Sequence, residues 1–129
     1  DGIPTLKMVS LGANAFSSPS SIAEGIETLQ IEYGLDTSGD GAPDSWVADP
    51  AAGATAAAAV IAWTQVTAVK IHVLARNPQA SAGQFTDTRA YVLGSTASTD
   101  NTFGPYNDGY KRHVYTTVAR LVNVAGRIE

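Results

Sequence analysis

Three stretches of the chain alternate apolar and polar residues with a period of two, and this pattern limits the fold more than any other feature. The clearest stretch is residues 66–76, and the other two are residues 26–36 and 111–124. In the clearest stretch one face carries Val69, Ile71, Val73 and Ala75 and the other carries Lys70, His72 and Arg76, with Leu74 as the exception. Alternation among β-forming residues is typical of half-buried strands, so the chain is predicted to form a sheet.

The segments between these strands contain one predicted helix and several turns. Residues 54–63 are mostly Ala, which has the highest helix propensity, but a helix of about ten residues is marginal alone and must pack on something. Shorter strands are predicted near Met8–Leu11 and at residues 45–48 and 88–93, and loops at residues 1–23, 36–45 and 94–109. Because strands follow one another in runs, the predicted fold is α+β, a mostly antiparallel sheet with one short Ala-rich helix packed on it.

Length, charge and cysteine content narrow the possible functions. The 129 residues fit a single globular domain covering residues 1–129. Twelve acidic residues against eight basic ones give a net charge of −4, which argues against nucleic acid as a partner because phosphate binding needs a basic surface. The chain has no Cys, which excludes disulfides, thiolate metal sites and a Cys nucleophile.

The start of the sequence and its longest uncharged run indicate whether these residues include a leader or a membrane-spanning segment. The chain begins at Asp1 without an initiator Met, a basic leader or an apolar segment, so it is predicted to be the C-terminal part of a longer protein. The run from Pro50 to Val69 is long enough to span a bilayer, but its Pro, Gly, Thr and Gln residues argue against a membrane span.

An Asp-rich segment holds the sharpest chemical motif. Oxygen-bearing side chains stand at positions 1, 3, 5 and 9 of a loop whose sixth residue is Gly41, and position 7 of such a loop contributes a main-chain carbonyl. Alternate residues of a tight loop can all direct hard oxygens at one cation, and a divalent cation relieves repulsion among the carboxylates. The pattern therefore predicts a Ca²⁺ site formed by Asp36, Ser38, Asp40, Ala42 and Asp44.

The same motif departs from a full calcium-binding hand in two places. Val47 stands at position 12, where a bidentate Glu is expected, and Pro43 argues against a helix directly after the loop. Ligands from elsewhere must then complete the shell, and Glu32 and Asp49 are candidates. The alternative is a plain Asp/Gly hairpin turn, which needs no metal.

The remaining polar and aromatic residues give weaker signals. His72 and His113 are predicted to be solvated, because two His without a third ligand make a weak zinc site. Solvated positions are also predicted for Glu24, Glu27, Asp87, Lys111 and Arg112, and core positions for Trp46 and Trp63. The sequence contains no serine-nucleophile motif and no phosphate-binding loop, so a hydrolase is the least supported class.

Four longer segments, taken in order, resemble one known family. They are Asp1–Lys7, the strand and Asp-rich loop from Gly25 to Asp44, the segment Trp63–Arg76, and the ending Lys111–Asn123. In the second segment the matching residues read Gly-Ile-Glu-x-Leu-Gln-Ile-x-Tyr-Gly-Leu-Asp-Thr-x-Gly-Asp-Gly-x-x-Asp. Together they resemble the C-terminal region of the PilW family of type IV pilus minor pilins. Ser38 departs from the pattern, since Asp is common there.

The resemblance implies a structural subunit and not an enzyme. Members of the family carry a short leader and a long apolar N-terminal helix, both missing here, and resemble the J-type pseudopilin of type II secretion. The helix anchors the protein in the inner membrane before assembly, while the globular head is periplasmic and later exposed on the cell-surface pilus. The expected partners are other minor pilins and pilus assembly proteins, in a tip complex that primes assembly. A calcium-stabilised extracellular binding or adhesion module, using the Asp-rich loop and residues 94–109, is the alternative.

Overall fold

The computed structural model of the chain describes residues 2–121. Over these residues it contains one helix and eight strands. In chain order they are β1 (Thr5–Met8), β2 (Ser20–Glu24), β3 (Ile26–Leu35), β4 (Ser45–Val47), α1 (Ala56–Thr64), β5 (Val66–Arg76), β6 (Tyr91–Val92), β7 (Thr102–Phe103) and β8 (Arg112–Arg120). The predicted mostly antiparallel α+β class is confirmed at this level.

The largest sheet has four strands in the order β4-β3-β5-β8. Strands β3 and β5 run antiparallel, because the N–H of Arg76 donates to the carbonyl of Gly25 at one end (2.8 Å) and the N–H of Asp36 donates to Gln65 at the other (2.8 Å). Gly25 has a φ of 81°, and a Cβ there would lie 2.7 Å from the carbonyl oxygen of Arg76, so only Gly fits this position.

Strand β8 continues the same antiparallel pattern on the far side of β5. The N–H of Asn77 donates to Lys111 (3.0 Å), and the N–H of Leu121 donates to Thr67 (2.9 Å). Two small antiparallel sheets, β1–β2 and β6–β7, complete the described strands. In the sheet order β4 and β8 are therefore the two margins of the four-stranded sheet.

The chain divides into two compact units. The first comprises Asp1–Leu29, Val73–Leu93 and Ala97–Tyr115, and the second comprises Gln30–His72, Gly94–Thr96 and Thr116–Glu129. The core of the first unit is formed by Leu74, Tyr91 and Leu93, with Phe103, Tyr106 and Val114 packed against it. In the second unit Val66 and Ala68 are buried. The single domain over residues 1–129 stays a prediction.

Helix α1 belongs to the second unit and meets the sheet through an aromatic pair. Thr55 caps its first turn by accepting the N–H of Ala58. The ring of Trp63 stands edge-on to that of Tyr33 on β3, with centroids 4.9 Å apart. The helix contacts the sheet through this ring pair, but Trp63 is still 46% exposed, so its predicted core position is wrong.

Several local predictions differ from the structure. The predicted loop over residues 1–23 contains β1 and most of β2, and the strand predicted at 88–93 is reduced to Tyr91–Val92. The first strand lies at Thr5–Met8 and not near Met8–Leu11. Short strands at Ser- and Thr-rich positions carry little periodic signal, because their pairing partner decides whether they form. Residues 122–124 of the predicted last strand lie outside the described residues.

Candidate functional site

The Asp-rich loop joins β3 to β4 and is closed by its own main chain. Leu35 pairs with Ser45 at the base of this hairpin. Both carboxylate oxygens of the buried Asp36 accept main-chain hydrogen bonds, one from Gly39 (2.6 Å) and one from Gly41 (2.7 Å). These contacts hold the first half of the loop around a single side chain.

Asp44 closes the second half of the loop in the same way. Its Oδ2 accepts the N–H of Thr37 (2.7 Å), the hydroxyl of Thr37 (2.8 Å) and the N–H of Ser38 (2.9 Å). These donors, the Thr37 hydroxyl foremost, lower the pKa of Asp44 below its usual range. Asp40 Oδ1 accepts the N–H of Ala42 (2.8 Å). The loop predicted at residues 36–45 is therefore confirmed, and its carboxylates serve as acceptors for the loop's own N–H groups.

The calcium site predicted at Asp36, Ser38, Asp40, Ala42 and Asp44 stays a prediction. Within the described part of the chain, no three or more His or carboxylate side chains are grouped as a metal ion requires. Of the two proposed extra ligands, Asp49 accepts the N–H of Ala51, and Glu32 binds His72 in a separate polar network. The donor chemistry of the loop suits Ca²⁺, since its side chains offer hard oxygens.

A buried polar network of the second unit connects three strands. His72 on β5 is 4% exposed; its Nε2 lies 3.0 Å from Glu32 Oε2 on β3, and its Nδ1 lies 2.9 Å from the hydroxyl of Thr116 on β8. Glu32 also accepts the N–H (2.9 Å) and hydroxyl (2.7 Å) of Ser95. Lys70 donates to the Ser95 hydroxyl. The solvated position predicted for His72 is wrong, because its partners satisfy both ring nitrogens inside the sheet.

The charge state of Glu32 determines which ring nitrogen of His72 carries a proton. Burial alone would raise the pKa of Glu32, but the hydrogen bonds from Ser95 and His72 outweigh it and lower that pKa. Glu32 is then ionised at neutral pH and can only accept, so Nε2 of His72 must be the donor. In the neutral imidazole Nδ1 consequently accepts the Thr116 hydroxyl proton.

An ion cluster organises the first unit around Arg112. The Arg112 side chain is 1% exposed and contacts three carboxylates. Its shortest distances are 2.6 Å to Glu27, 2.6 Å to Asp108 and 3.1 Å to Asp87. Its guanidinium lies 3.8 Å from the ring centroid of Tyr106, an arrangement that stabilises a buried cation. The exposed positions predicted for Arg112, Glu27 and Asp87 are therefore wrong.

Two carboxylates of this cluster, Asp108 and Asp87, have lowered pKa values. Arg112 lowers the pKa of Asp108 from 3.8 to about 2. Burial alone would raise the pKa of Asp87, but the hydroxyl of Tyr91 and the guanidinium of Arg112 outweigh it and keep that pKa below its usual value. Both oxygens of Asp87 accept from the Tyr91 hydroxyl, at 2.9 and 2.8 Å.

These lowered pKa values predict acid sensitivity with a defined direction. A carboxyl whose pKa is lower in the folded state stabilises the fold above its ordinary pKa, and this contribution is lost as the pH falls through the folded value. The contribution of Asp87 and Asp108 to the free energy of unfolding is expected to be fully present above about pH 5 and to be lost progressively towards about pH 2. Urea unfolding at stepped pH values measures this. Asp108→Asn should flatten the slope, and an unchanged slope would contradict the role of Asp108.

Most of the exposed large apolar residues lie in three segments. Those near the first hairpin are Met8, Val9, Leu11, Phe16 and Ile22; those on α1 are Val60, Ile61 and Trp63; those on or next to β8 are Tyr115, Val118 and Leu121. The helix is unusual, since Ala56–Thr64 has no charged residue and none of its residues is buried. Helices that are apolar on all sides are normally covered, so this surface is suited to contact with another protein.

Comparison with known families decides the class of protein. The model of the family described as type IV pilus-assembly protein W matches residues 1–123. The chain belongs to this PilW family. No curated protein and no solved structure matches the sequence.

Membership in the PilW family gives the chain a role in type IV pilus assembly, at the periplasm or the pilus on the cell surface. The role of such a protein is structural, in association with other pilus components. Exposed apolar surface of the kind found on α1 is what an assembly subunit needs. Over residues 2–121, no helix is long and apolar enough to cross a bilayer.

Proposed function

We propose that this PilW-family chain is the globular head of a minor pilin and contributes to the tip complex that primes pilus assembly. The observation that carries the proposal is the match of the family model to residues 1–123. Its partners are then other minor pilins and pilus assembly proteins. Before assembly the full-length protein is held in the inner membrane by an apolar N-terminal helix that precedes these residues.

The surface of the head supports an assembly role. Val60 and Ile61 on α1 are 65% and 61% exposed, whereas Phe16 near the first hairpin is 70% exposed. Large apolar side chains at such exposures are characteristic of protein–protein contact surfaces. The buried His72 and Arg112 are occupied by hydrogen bonds within their own units, which is the behaviour of structural residues.

Deletion and complementation in the cell that makes the protein tests the proposal. Deletion of the gene should sharply reduce the number of surface pili, and the full-length gene should restore it. A double substitution Val60→Ser and Ile61→Ser should restore fewer pili, because it removes the apolar surface of α1 without touching a buried residue. A matched pair at an exposed polar site, Gln79→Ser and Asn77→Ser, should restore pili fully. Normal piliation in the deletion strain would refute the proposal.

We also propose that the loop Asp36–Asp44 takes up Ca²⁺ as a stabilising ion. The support is the chemistry of the donor set, with three carboxylates and the Ser38 hydroxyl in one short turn. Bound Ca²⁺ would supply charge compensation to these carboxylates. A calcium-stabilised extracellular binding or adhesion module would need such a stabilising ion. Binding of glycans or surfaces by the isolated head would favour that alternative function.

Thermal unfolding with and without Ca²⁺ is the measurement for this loop. Extracellular calcium modules bind at about 10⁻⁴–10⁻³ M, so about 10 mM Ca²⁺ is expected to stabilise the head by about 1.4–2.7 kcal/mol, or several degrees in Tm. Asp40→Ala should abolish the increase, whereas Asp100→Ala, which removes an exposed acid from another loop, should retain it. Equal Tm values in Ca²⁺ and in chelator would reduce the loop to a hairpin turn.

A further inference from the structure

The far margin of the four-stranded sheet is formed by β8, and no strand within residues 2–121 pairs with its outer side. In the second unit this margin consists of Thr116–Leu121, which we call the β8 edge. All residues of the β8 edge are exposed, with Val118 at 55% and Leu121 at 41%. An exposed strand margin presents N–H and C=O groups that can template another strand.

The register of β8 identifies the outward main-chain groups. Leu121 donates its N–H to Thr67 on β5, so its main chain faces inward. Successive residues of an antiparallel strand direct their N–H and C=O groups to opposite sides. The inward residues of the β8 edge are then Thr117, Ala119 and Leu121, and the outward residues are Thr116, Val118 and Arg120.

The β8 edge lacks the features by which proteins prevent strand addition. Such features are Pro, Lys, bulges or very short length. The segment Thr116–Leu121 contains neither Pro nor Lys nor Gly. Its single charge, Arg120, donates to the carbonyl of Gly41 (2.9 Å) and is thereby held by the loop of its own unit. The opposite margin, β4, is only three residues long, and such a short strand is a poor template for an added strand.

The charge of the β8 edge indicates which kind of strand it binds. Arg120 is cationic, and the sequence has no Asp or Glu between Asp108 and Glu129. An incoming strand with carboxylates meets opposite charge, whereas a second copy of β8 would bring like charge. We propose that the β8 edge binds an extended, acidic segment of another type IV pilus subunit, which joins the sheet as an additional strand. This inference rests on the proposed function and names the surface that serves it.

Amide hydrogen exchange tests the edge directly in the isolated head. The amides of Thr117 and Ala119 should exchange slowly because they are bonded to β5, and those of Thr116 and Val118 should exchange fast. Slow exchange at Thr116 and Val118 in the isolated head would overturn the inference, since the edge would already be paired. Fast exchange there supports it.

A proline substitution tests the binding in the full-length protein. Val118→Pro removes an outward N–H and places its ring in the path of the added strand, while the hydrogen bonds to β5 remain. A benzophenone maleimide on Val118→Cys, which is the only thiol in these 129 residues, should crosslink to a pilus subunit in assembling cells. Unlabelled wild type, Val118→Pro and Val118→Ala are then compared as competitors of this crosslink. Val118→Pro should bind the subunit at least about tenfold more weakly than wild type, and Val118→Ala should bind like wild type.

The outcomes separate this inference from the proposed function. If Val118→Pro binds the subunit and supports piliation at the wild-type level, the inference is overturned and the pilin role remains intact. Crosslinks that form only between copies of this chain would have the same meaning. Normal piliation after gene deletion would refute the pilin role itself. Circular dichroism shows whether Val118→Pro folds. If it does not fold, the crosslinking of Val118→Cys decides the question. A crosslink to a pilus subunit that carries an acidic extended segment supports the inference, and the lack of such a crosslink overturns it.

Discussion

Replacement of Arg112 by Ala is expected to lower the free energy of unfolding by about 3–5 kcal/mol, because it removes the buried cation that contacts all three carboxylates. Asp87 is 1% exposed and cannot regain water without local unfolding. Glu27 loses two hydrogen bonds from the guanidinium, at 2.6 and 2.9 Å, and Asp108 loses two at 2.6 and 2.7 Å. Urea unfolding measures the loss as a lower midpoint with an unchanged slope.

Two further variants isolate the cause of this effect. Arg89 also contacts Asp87, at 3.5 Å, but its side chain is 61% exposed. Arg89→Ala is therefore expected to cost about 0.5 kcal/mol or less, as for a surface ion pair. Arg112→Lys retains the charge but not the planar fork, so its loss should be intermediate. Equal losses for Arg89→Ala and Arg112→Ala would show that burial of the cluster contributes nothing.

Replacement of Glu32 by Ala is expected to cost about 2–3 kcal/mol, because buried donors lose an ionised acceptor. His72 Nε2 and the N–H of Ser95 both donate to this carboxylate. Glu24→Ala, the same change at an exposed strand position, should change the free energy of unfolding by less than about 0.5 kcal/mol.

Nitrogen NMR of His72 provides an independent readout of the same network. In the wild type the neutral ring should carry its proton on Nε2, facing Glu32. Glu32→Ala should remove this preference, since no carboxylate then accepts from Nε2. A wild-type ring protonated on Nδ1 would contradict the assigned donor and acceptor roles.

The long strands and the helix could be predicted from the sequence because their signals are local. The boundaries of β5, Val66–Arg76, agree with its predicted alternation, and α1 lies where Ala is concentrated. The buried face of β5 could not be predicted the same way. His72 and Leu74 lie on the buried face of β5. The alternation had indicated that the opposite face, which carries Val69, Ile71, Val73 and Ala75, would be the buried one.

The two polar clusters could not be predicted because their partners are far apart in sequence. Glu32 and His72 are separated by 40 residues, and Glu27 and Arg112 by 85. Taken alone, each of these residues has the composition of a solvated position, and only the strand order brings opposite charges together. The Asp-rich loop was different, because its turn-forming residues are consecutive and the predicted turn follows from them.

The ion cluster around Arg112 has a consequence for the order in which this head can fold. Its carboxylates come from residues 27, 87 and 108, so the cluster cannot close until almost the whole chain is available. Contacts of such long range make folding slow, since loop-closure entropy is lost before the contact stabilises anything. As the chain emerges from the ribosome, N-terminal residues first, β3 can pair with β4 and β5, and Glu27 can meet Arg76, before the cluster around Arg112 can close. Until Arg112 has emerged, Asp87 lacks its buried cation, so the first unit is expected to gain full resistance to proteases only after that point.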